Sequence, residues 1–145
     1  MLGPEGTDRV LRDLAPTLLQ RLSRKAAKRG RRLARRPNTG RHAFRKSLKK
    51  LRYALEDLFP LLPAEETVAY VKRCKKLLKL LGHANDAVTG AALARSLAEG
   101  ERPDLAPALG LFERHLQATR EDAVRRLGKR WHAVRDRAPF WDRAV

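Results

Sequence analysis

Several residue types are scarce in this chain, and each scarcity excludes a class of protein. A single cysteine, Cys74, cannot form an internal disulfide, so a disulfide-stabilised secreted scaffold is excluded. No apolar run is long enough to cross a bilayer as a helix. The start, Met1-Leu2-Gly3-Pro4, lacks the apolar core of a signal peptide. We therefore expect a cytoplasmic protein with no membrane span.

Acidic residues are also scarce, and their scarcity is local. The 145 residues include 33 Lys and Arg against 16 Asp and Glu, a formal net charge of +17. Residues 14–55 contain no acid but 15 Lys and Arg, and residues 67–85 contain no acid but five. Self-repulsion on this scale opposes a compact state unless a polyanion neutralises it. Nucleic acid, an anionic membrane and polyphosphate are the candidate partners.

Aromatic residues are few, whereas Leu and Ala dominate the apolar residues, a mixture that favours helices over strands. Helical periodicity runs through almost the whole chain, and no stretch alternates like a strand. Proline and glycine clusters divide the pattern. The predicted helices cover about 7–36, 41–59, 63–81, 85–98 and 104–137. Short connections favour antiparallel neighbours. We expect an all-α, antiparallel bundle of four to five helices over residues 1–145, with long first and last helices.

The second predicted helix separates an apolar face from a cationic face. At about 100° per residue, the apolar positions fall opposite His42; they are Phe44, Leu48, Leu51, Leu55 and Leu58. The cationic face consists of His42, Arg45, Lys46, Lys49 and Tyr53, with Lys50 and Arg52 at its margins. Arg forks and Lys ammonium groups are the side chains with which proteins hold phosphate oxygens. This face therefore predicts a contact surface for a polyanion.

Two other predicted helices repeat the design. On the third, the cationic face consists of Lys72, Lys76, Lys79 and His83, opposite Cys74, Leu77, Leu78 and Leu81. On the first, it consists of Arg21, Lys25, Lys28, Arg32 and Arg35, opposite Leu19, Leu22, Ala26 and Leu33. The alternative is that these are ordinary solvated faces. Ordinary exposed faces mix charges of both signs, so the acid-free windows favour a polyanion partner.

Residues 41–56, RHAFRKSLKKLRYALE, resemble the signature of the CHAD family, the conserved histidine α-helical domain. The matching positions are His42, Arg45, Lys49, Lys50, Leu51, Arg52, Tyr53 and Glu56. A second family element resembles residues 80–88, LLGHANDAV, and residues 135–141, RDRAPFW, are similar to the family's C-terminal ending. The likeness is mainly to the C-terminal half of a full-length domain.

The resemblance implies a helical bundle built from two similar halves, with basic side chains lining a groove that binds inorganic polyphosphate. It also implies location at polyphosphate granules, and some such domains lie beside triphosphate tunnel enzymes. The ligand-facing set carried over is His42, Arg45, Lys49, Lys50, Arg52 and Tyr53. Because one half is expected here, the chain is either a fragment or pairs with a second copy, most simply as a closed homodimer.

Individual side chains leave alternatives open. His42 either contacts the anion in its charged form or stays neutral and hydrogen-bonds across the bundle. Tyr53 either donates its hydroxyl to phosphate or orients a neighbour. For Glu56 and Asp86, an ion pair with Lys or Arg is favoured over a role as a base. Cys74 is expected to be an inert core thiol.

The aromatic residues near the C-terminus, Trp131, Phe140 and Trp141, are expected to pack a helix end rather than stack bases, and His115 and His132 to be plain surface or core residues.

No cofactor or metal site is predicted, because no HExxH, Walker loop or nucleophile elbow occurs. The main hypothesis is non-catalytic polyphosphate binding. The alternatives are a nucleic-acid-binding protein, although no helix-turn-helix or zinc finger is found, and an accessory module of a triphosphate-processing enzyme. Two carboxylates near the cationic set are too few for a typical two-metal phosphohydrolase.

Overall fold

The computed structural model describes residues 4–33, 38–136 and 139–142. Its α-helices are α1 (Pro4–Arg29), α2 (Asn38–Asp57), α3 (Ala64–Glu99) and α4 (Ala106–Arg135). Short 3-10 turns at Phe59–Leu61 and Pro103–Leu105 precede α3 and α4, each with a proline in its first turn. The described residues contain no strand. The predicted all-α fold is confirmed, and α1 and α4 are long, although α3 is longer.

The predicted division at Gly82 is wrong, because the third and fourth predicted helices form the single 36-residue helix α3. A glycine inside a helix costs about 1 kcal/mol relative to alanine. Here the neighbouring Leu81 and Ala84 are both buried, and their packing outweighs that local preference. The cationic residues of the third predicted helix therefore lie on a longer helix than expected.

Helix α1 ends earlier than predicted, at Arg29 rather than near residue 36. It continues through Pro16. A turn follows at residues 30–32, and Arg32 has a φ of 52°. The prediction that Arg32 extends the helical face of Arg21 is therefore wrong, since the helix has already ended. The predicted role of Arg35 lies outside the described residues.

The core combines the predicted apolar faces of α1, α2 and α3 with an apolar face of α4 in one cluster. Its largest fully buried side chains are Leu19, Phe44, Leu48, Leu51, Leu55, Cys74, Leu77, Leu127 and Val134. Leu22 and Leu58 are half-buried and pack against this cluster. The assignments of the inner faces of α1, α2 and α3 are therefore confirmed, and burial raises the pKa of the Cys74 thiol to about 12.

Neighbouring helices run antiparallel. Glu56 near the end of α2 meets Lys75 near the start of α3, and Arg95 near the end of α3 pairs with Glu113 near the start of α4. Beyond Ala84 of α3 and before Ala123 of α4, the two helices leave the main core and pack mainly on each other. Residues 85–122 therefore form a helical hairpin that projects from the bundle.

Aromatic side chains close the end of the bundle, as predicted. The Phe44 and Trp131 rings meet edge to face, 4.8 Å between centroids. The indole of Trp131 lies so near Gly30 that a Cβ there would stand 2.6 Å from Nε1. Phe140 and Trp141 are buried and their rings contact the Tyr70 ring. Since Trp141 Nε1 also donates to Gln20 Oε1 at 3.2 Å, the segment after α4 ties α1 to α3.

A candidate polyanion-binding surface

Helix α2 presents its cationic face to solvent because its apolar face is fixed in the core. His42, Lys46, Lys50 and Tyr53 are exposed, whereas Arg45, Lys49 and Arg52 are half-buried. Both groups lie on the side of the helix away from Phe44 and the buried leucines. We call this set, the predicted site residues of α2, the α2 stripe.

One carboxylate orients part of the α2 stripe. Glu56 Oε1 lies 3.5 Å from Arg52 Nε one turn earlier and 3.7 Å from Lys75 Nζ on α3. The Arg52 guanidinium carbon also stands 4.7 Å from the centroid of the Tyr53 ring. The expected ion pair of Glu56 is confirmed. Glu56 and Tyr53 together restrict where Arg52 points, and a side chain already restricted loses less entropy when it forms a further contact.

Arg45 lies where α2 approaches α3. Its Nη2 is 3.9 Å from the position that a Cβ on Gly82 would occupy. Arg41, His42 and Arg45 line a small recess with Leu81 and Asn85. The Nε of Arg45 is buried and has no hydrogen-bond partner among the described residues. A buried donor without a partner is costly, so this Nε raises the free energy of the folded chain.

Arg41 is a charged residue that sequence reasoning did not single out. It is 5% exposed, and burial, followed by the charge of Arg120 on α4, lowers the pKa of its guanidinium. A like-charged pair at the start of α2 creates a positive potential there, and the unpaired N–H groups of a helix start add to it. The adjacency of Arg41 to His42 was visible in the sequence, but the approach of Arg120 from 79 positions away was not.

The predicted cationic residues of α3, namely Lys72, Lys76, Lys79 and His83, are all exposed. Those of α1 that fall within the helix, Arg21, Lys25 and Lys28, are exposed as well. Since α2 packs between α1 and α3, the α2 stripe is flanked by these two cationic faces. Arg32 is exposed but belongs to the turn after α1.

A further arginine, Arg29, has a structural role. Its Nη1 donates to the Ser47 hydroxyl at 3.0 Å and to the carbonyl oxygen of Ala43 at 3.4 Å, so it joins the end of α1 to α2.

Asp86 is exposed and forms no ion pair with any residue in the described ranges. The expected pairing of Asp86 with Lys or Arg is therefore wrong.

A concave feature between α3 and α4 was not predicted. Helices α3 and α4 enclose a cleft of about 720 Å³ lined by Arg73, Lys76, Asp122, Arg125, Arg126, Lys129, Arg130 and Ala133. The signal in the sequence was two pairs of adjacent basic residues, at 125–126 and 129–130. The pairs are four positions apart and hence lie on one helix face. Asp122 and Glu121 just before them kept this segment out of the acid-free windows.

No group of three or more His, Cys, Asp or Glu side chains suited to a metal ion occurs in the part of the chain that the structure describes. Among the same residues, no helix is long and apolar enough to cross a membrane.

Comparison with known proteins gives one match. The family model of the CHAD domain matches residues 2–95, which include α1, α2 and most of α3. The match lies in the N-terminal part of this chain, not in a C-terminal half as the resemblance suggested, and it leaves α4 outside. No curated protein and no solved structure gives a significant match. CHAD domains are linked to proteins of triphosphates and polyphosphates. On the strength of the matched 94 residues, the chain belongs to the CHAD-domain family.

Proposed function

We propose that this chain binds inorganic polyphosphate without catalysing a reaction, and that the α2 stripe is the central contact. The observation that carries the proposal is the composition of that face. It holds five Lys or Arg side chains and His42, and the carboxylate of Glu56 beside it is ion-paired with Arg52 and Lys75. A face with so large an excess of positive charge suits a linear polyanion.

The spacing of the charges suits a flexible chain of phosphates. Side chains on one helix face recur about every turn, or roughly 5.4 Å, and the exposed cations of α1 and α3 flank the stripe. A ligand with a charge on every phosphate can adjust to such an array without a rigid register. Release of counterions then supplies much of the affinity, which makes binding depend steeply on salt.

Nucleic acid is the main alternative ligand, since it carries the same phosphate charge. Single-stranded nucleic acid is usually held by aromatic side chains on which bases stack. The α2 stripe offers only Tyr53, and the Arg52 guanidinium already lies beside that ring. This arrangement favours a ligand without bases.

Competition between the two ligands tests the choice. Long-chain polyphosphate, labelled at its ends, is bound to the purified chain at low salt, and single-stranded or duplex DNA is added at increasing total phosphate concentration. We expect polyphosphate to remain bound at equal phosphate concentration. Displacement by DNA at that concentration would show that nucleic acid is the ligand.

The proposal that the chain is not an enzyme has its own test. Glu56, a carboxylate beside the cationic set, is engaged in ion pairs with Arg52 and Lys75, and few acidic residues lie near that set in the sequence. We expect no release of phosphate when the purified chain is incubated with tripolyphosphate and magnesium. Release that is proportional to protein concentration and abolished by Glu56→Gln would assign a hydrolytic function instead. An accessory role beside a triphosphate-processing enzyme and location at polyphosphate granules are compatible with binding alone.

Pairing with a second copy is part of the proposal. The hairpin of residues 85–122 carries seven acidic and four basic residues, a net charge of −3, so the rest of the chain carries +20. Large apolar side chains remain exposed on the hairpin at Leu93, Leu111 and Phe112. An acidic, partly apolar projection is complementary to the basic body of another copy. Light scattering should give twice the chain mass, and Leu111→Glu with Phe112→Glu should return it to the monomer mass.

A further inference from the structure

The cleft between α3 and α4 combines two properties. It is concave, and six of the eight residues that line it are Lys or Arg. Asp122 is the acidic member, and its carboxylate lies 3.6 Å from Arg125 Nη2 and 3.9 Å from Arg126 Nη1. The lining therefore carries five more positive than negative charges, held within one cavity rather than spread along a helix.

Most of these cations have no counter-charge. Within the described ranges, Arg73, Lys76, Lys129 and Arg130 form no ion pair. Side chains from two helices face one space, because Arg73 and Lys76 come from α3 whereas the remaining cations come from α4. Bringing these like charges together raises the electrostatic energy unless an anion occupies the space between them.

The chemistry of the lining selects the class of ligand. Apart from Ala133, no side chain of the cleft is apolar, and none is aromatic. The remaining apolar surface of the cleft comes from the aliphatic stems of its Lys and Arg side chains, and their charged ends offer phosphate oxygens Arg forks and Lys ammonium groups on two sides. A volume of about 720 Å³ falls within the usual range for small ligands, about 300–1,000 Å³. These features suit a compact inorganic oligophosphate.

We propose that the α3–α4 cleft is a separate binding site for a short oligophosphate of about three phosphates, either a free molecule or the end of a longer polyphosphate. This site goes beyond the α2 stripe. Four of its cations, Arg125, Arg126, Lys129 and Arg130, lie on α4, outside the segment that the family model matches. Lys76 is shared with the cationic face of α3, so the two sites adjoin across that helix.

Calorimetric titration with inorganic tripolyphosphate at low salt tests the cleft. The cleft variant carries Arg126→Glu and Lys129→Glu, both at exposed positions. The control carries Arg9→Glu and Arg114→Glu, exposed positions elsewhere that give the same change in net charge. We expect the cleft variant to bind at least about tenfold more weakly, the loss of one or more charge-assisted hydrogen bonds, and the control to change by less than about twofold. Equal losses in the two variants would overturn the proposal, as would no binding to the unmodified chain.

A third variant separates this site from the α2 stripe. Lys46→Glu with Lys50→Glu should keep tripolyphosphate binding while it weakens binding of long-chain polyphosphate. Loss of tripolyphosphate in this variant, with retention in the cleft variant, would place the oligophosphate on α2 and refute the cleft. If the cleft is right and the α2 proposal is wrong, only the long-chain result changes. Helix content and melting temperature of each variant, measured by circular dichroism, report whether it folds.

The source of the oligophosphate follows from competition. Long-chain polyphosphate is added to the complex of unmodified chain and tripolyphosphate, at matched total phosphate. Displacement in proportion to the number of chain ends would show that the cleft takes polyphosphate ends, and absence of displacement would show that it takes a free oligophosphate. Displacement in proportion to total phosphate would contradict a site restricted to about three phosphates.

Discussion

Neutralising Lys46 and Lys50 tests how the α2 stripe acts. Both side chains are exposed and neither forms an ion pair with a described residue, so Lys46→Gln with Lys50→Gln should leave folding unchanged. An exposed charge pair contributes up to about 1 kcal/mol. Loss of two lysine–phosphate contacts should therefore cost about 2 kcal/mol, or roughly 30-fold in affinity for long-chain polyphosphate at low salt.

The salt dependence gives a second, independent number. Each neutralised phosphate contributes roughly 0.7–0.9 to the slope of log affinity against log salt concentration. Removal of two contacts should reduce the slope by about 1.5, so the difference between variant and unmodified chain should shrink as salt rises. Fluorescence titrations at four salt concentrations would measure both quantities. An affinity within about twofold of the unmodified chain with an unchanged slope would refute the role of these lysines, and with them the stripe.

Three further predictions concern the scaffold. Gly30→Ala should lower the free energy of unfolding in urea by about 1–3 kcal/mol, because the new Cβ would stand 2.6 Å from Trp131 Nε1; an unchanged midpoint would contradict this packing. Gly82→Ala should raise the free energy of unfolding by about 0.5–1 kcal/mol, since the atom nearest to the new Cβ, Arg45 Nη2, is 3.9 Å away. A lower free energy of unfolding would indicate that α3 needs a bend at this glycine. Cys74 should react with a thiol reagent at pH 8 far more slowly in native chain than in urea, because burial raises the pKa of its thiol to about 12; equal rates would place it at the surface.

The local part of the fold was predictable from the sequence. The periodicity of residues such as Phe44, Leu48 and Leu55 fixes which side of α2 is buried, and the opposite side must then carry the charges. The same reasoning placed Cys74 and Leu77 in the core, and both are fully buried. These predictions depend on neighbours within two turns, which a sequence shows directly.

The errors arose where distant packing overrides local preference. Gly82 predicts a break between two helices, yet α3 continues through it because Leu81 and Ala84 are buried. Arg32 fits the helical face of α1 by spacing, but the chain turns at Gly30, where the indole of Trp131 allows no side chain. The partner that sets the boundary is more than 100 residues away in the sequence, so spacing alone could not reveal it.

The candidate site was predictable only in part for the same reason. The stripes of α1, α2 and α3 stand out because they lie in windows without acids. The cleft cations on α4, such as Arg126 and Lys129, follow Asp122 in the sequence and so do not stand out as a basic segment. They form part of a cleft only because Arg73 of α3 lines the same space. A cavity is a property of two helices together, and helix periodicity describes one at a time.

Calorimetric titration of long-chain polyphosphate into the purified chain is the most direct test of the central claim. The unmodified chain, the α2 variant with Lys46→Glu and Lys50→Glu, and the control with Arg9→Glu and Arg114→Glu are compared at one low salt concentration. The two variants have the same net charge, so any difference between them depends on where the charge lies. We expect saturable binding by the unmodified chain and the control, and binding at least about tenfold weaker for the α2 variant. Absence of binding by the unmodified chain, or equal weakening of both variants, would contradict the assignment of α2 as a polyphosphate-binding surface.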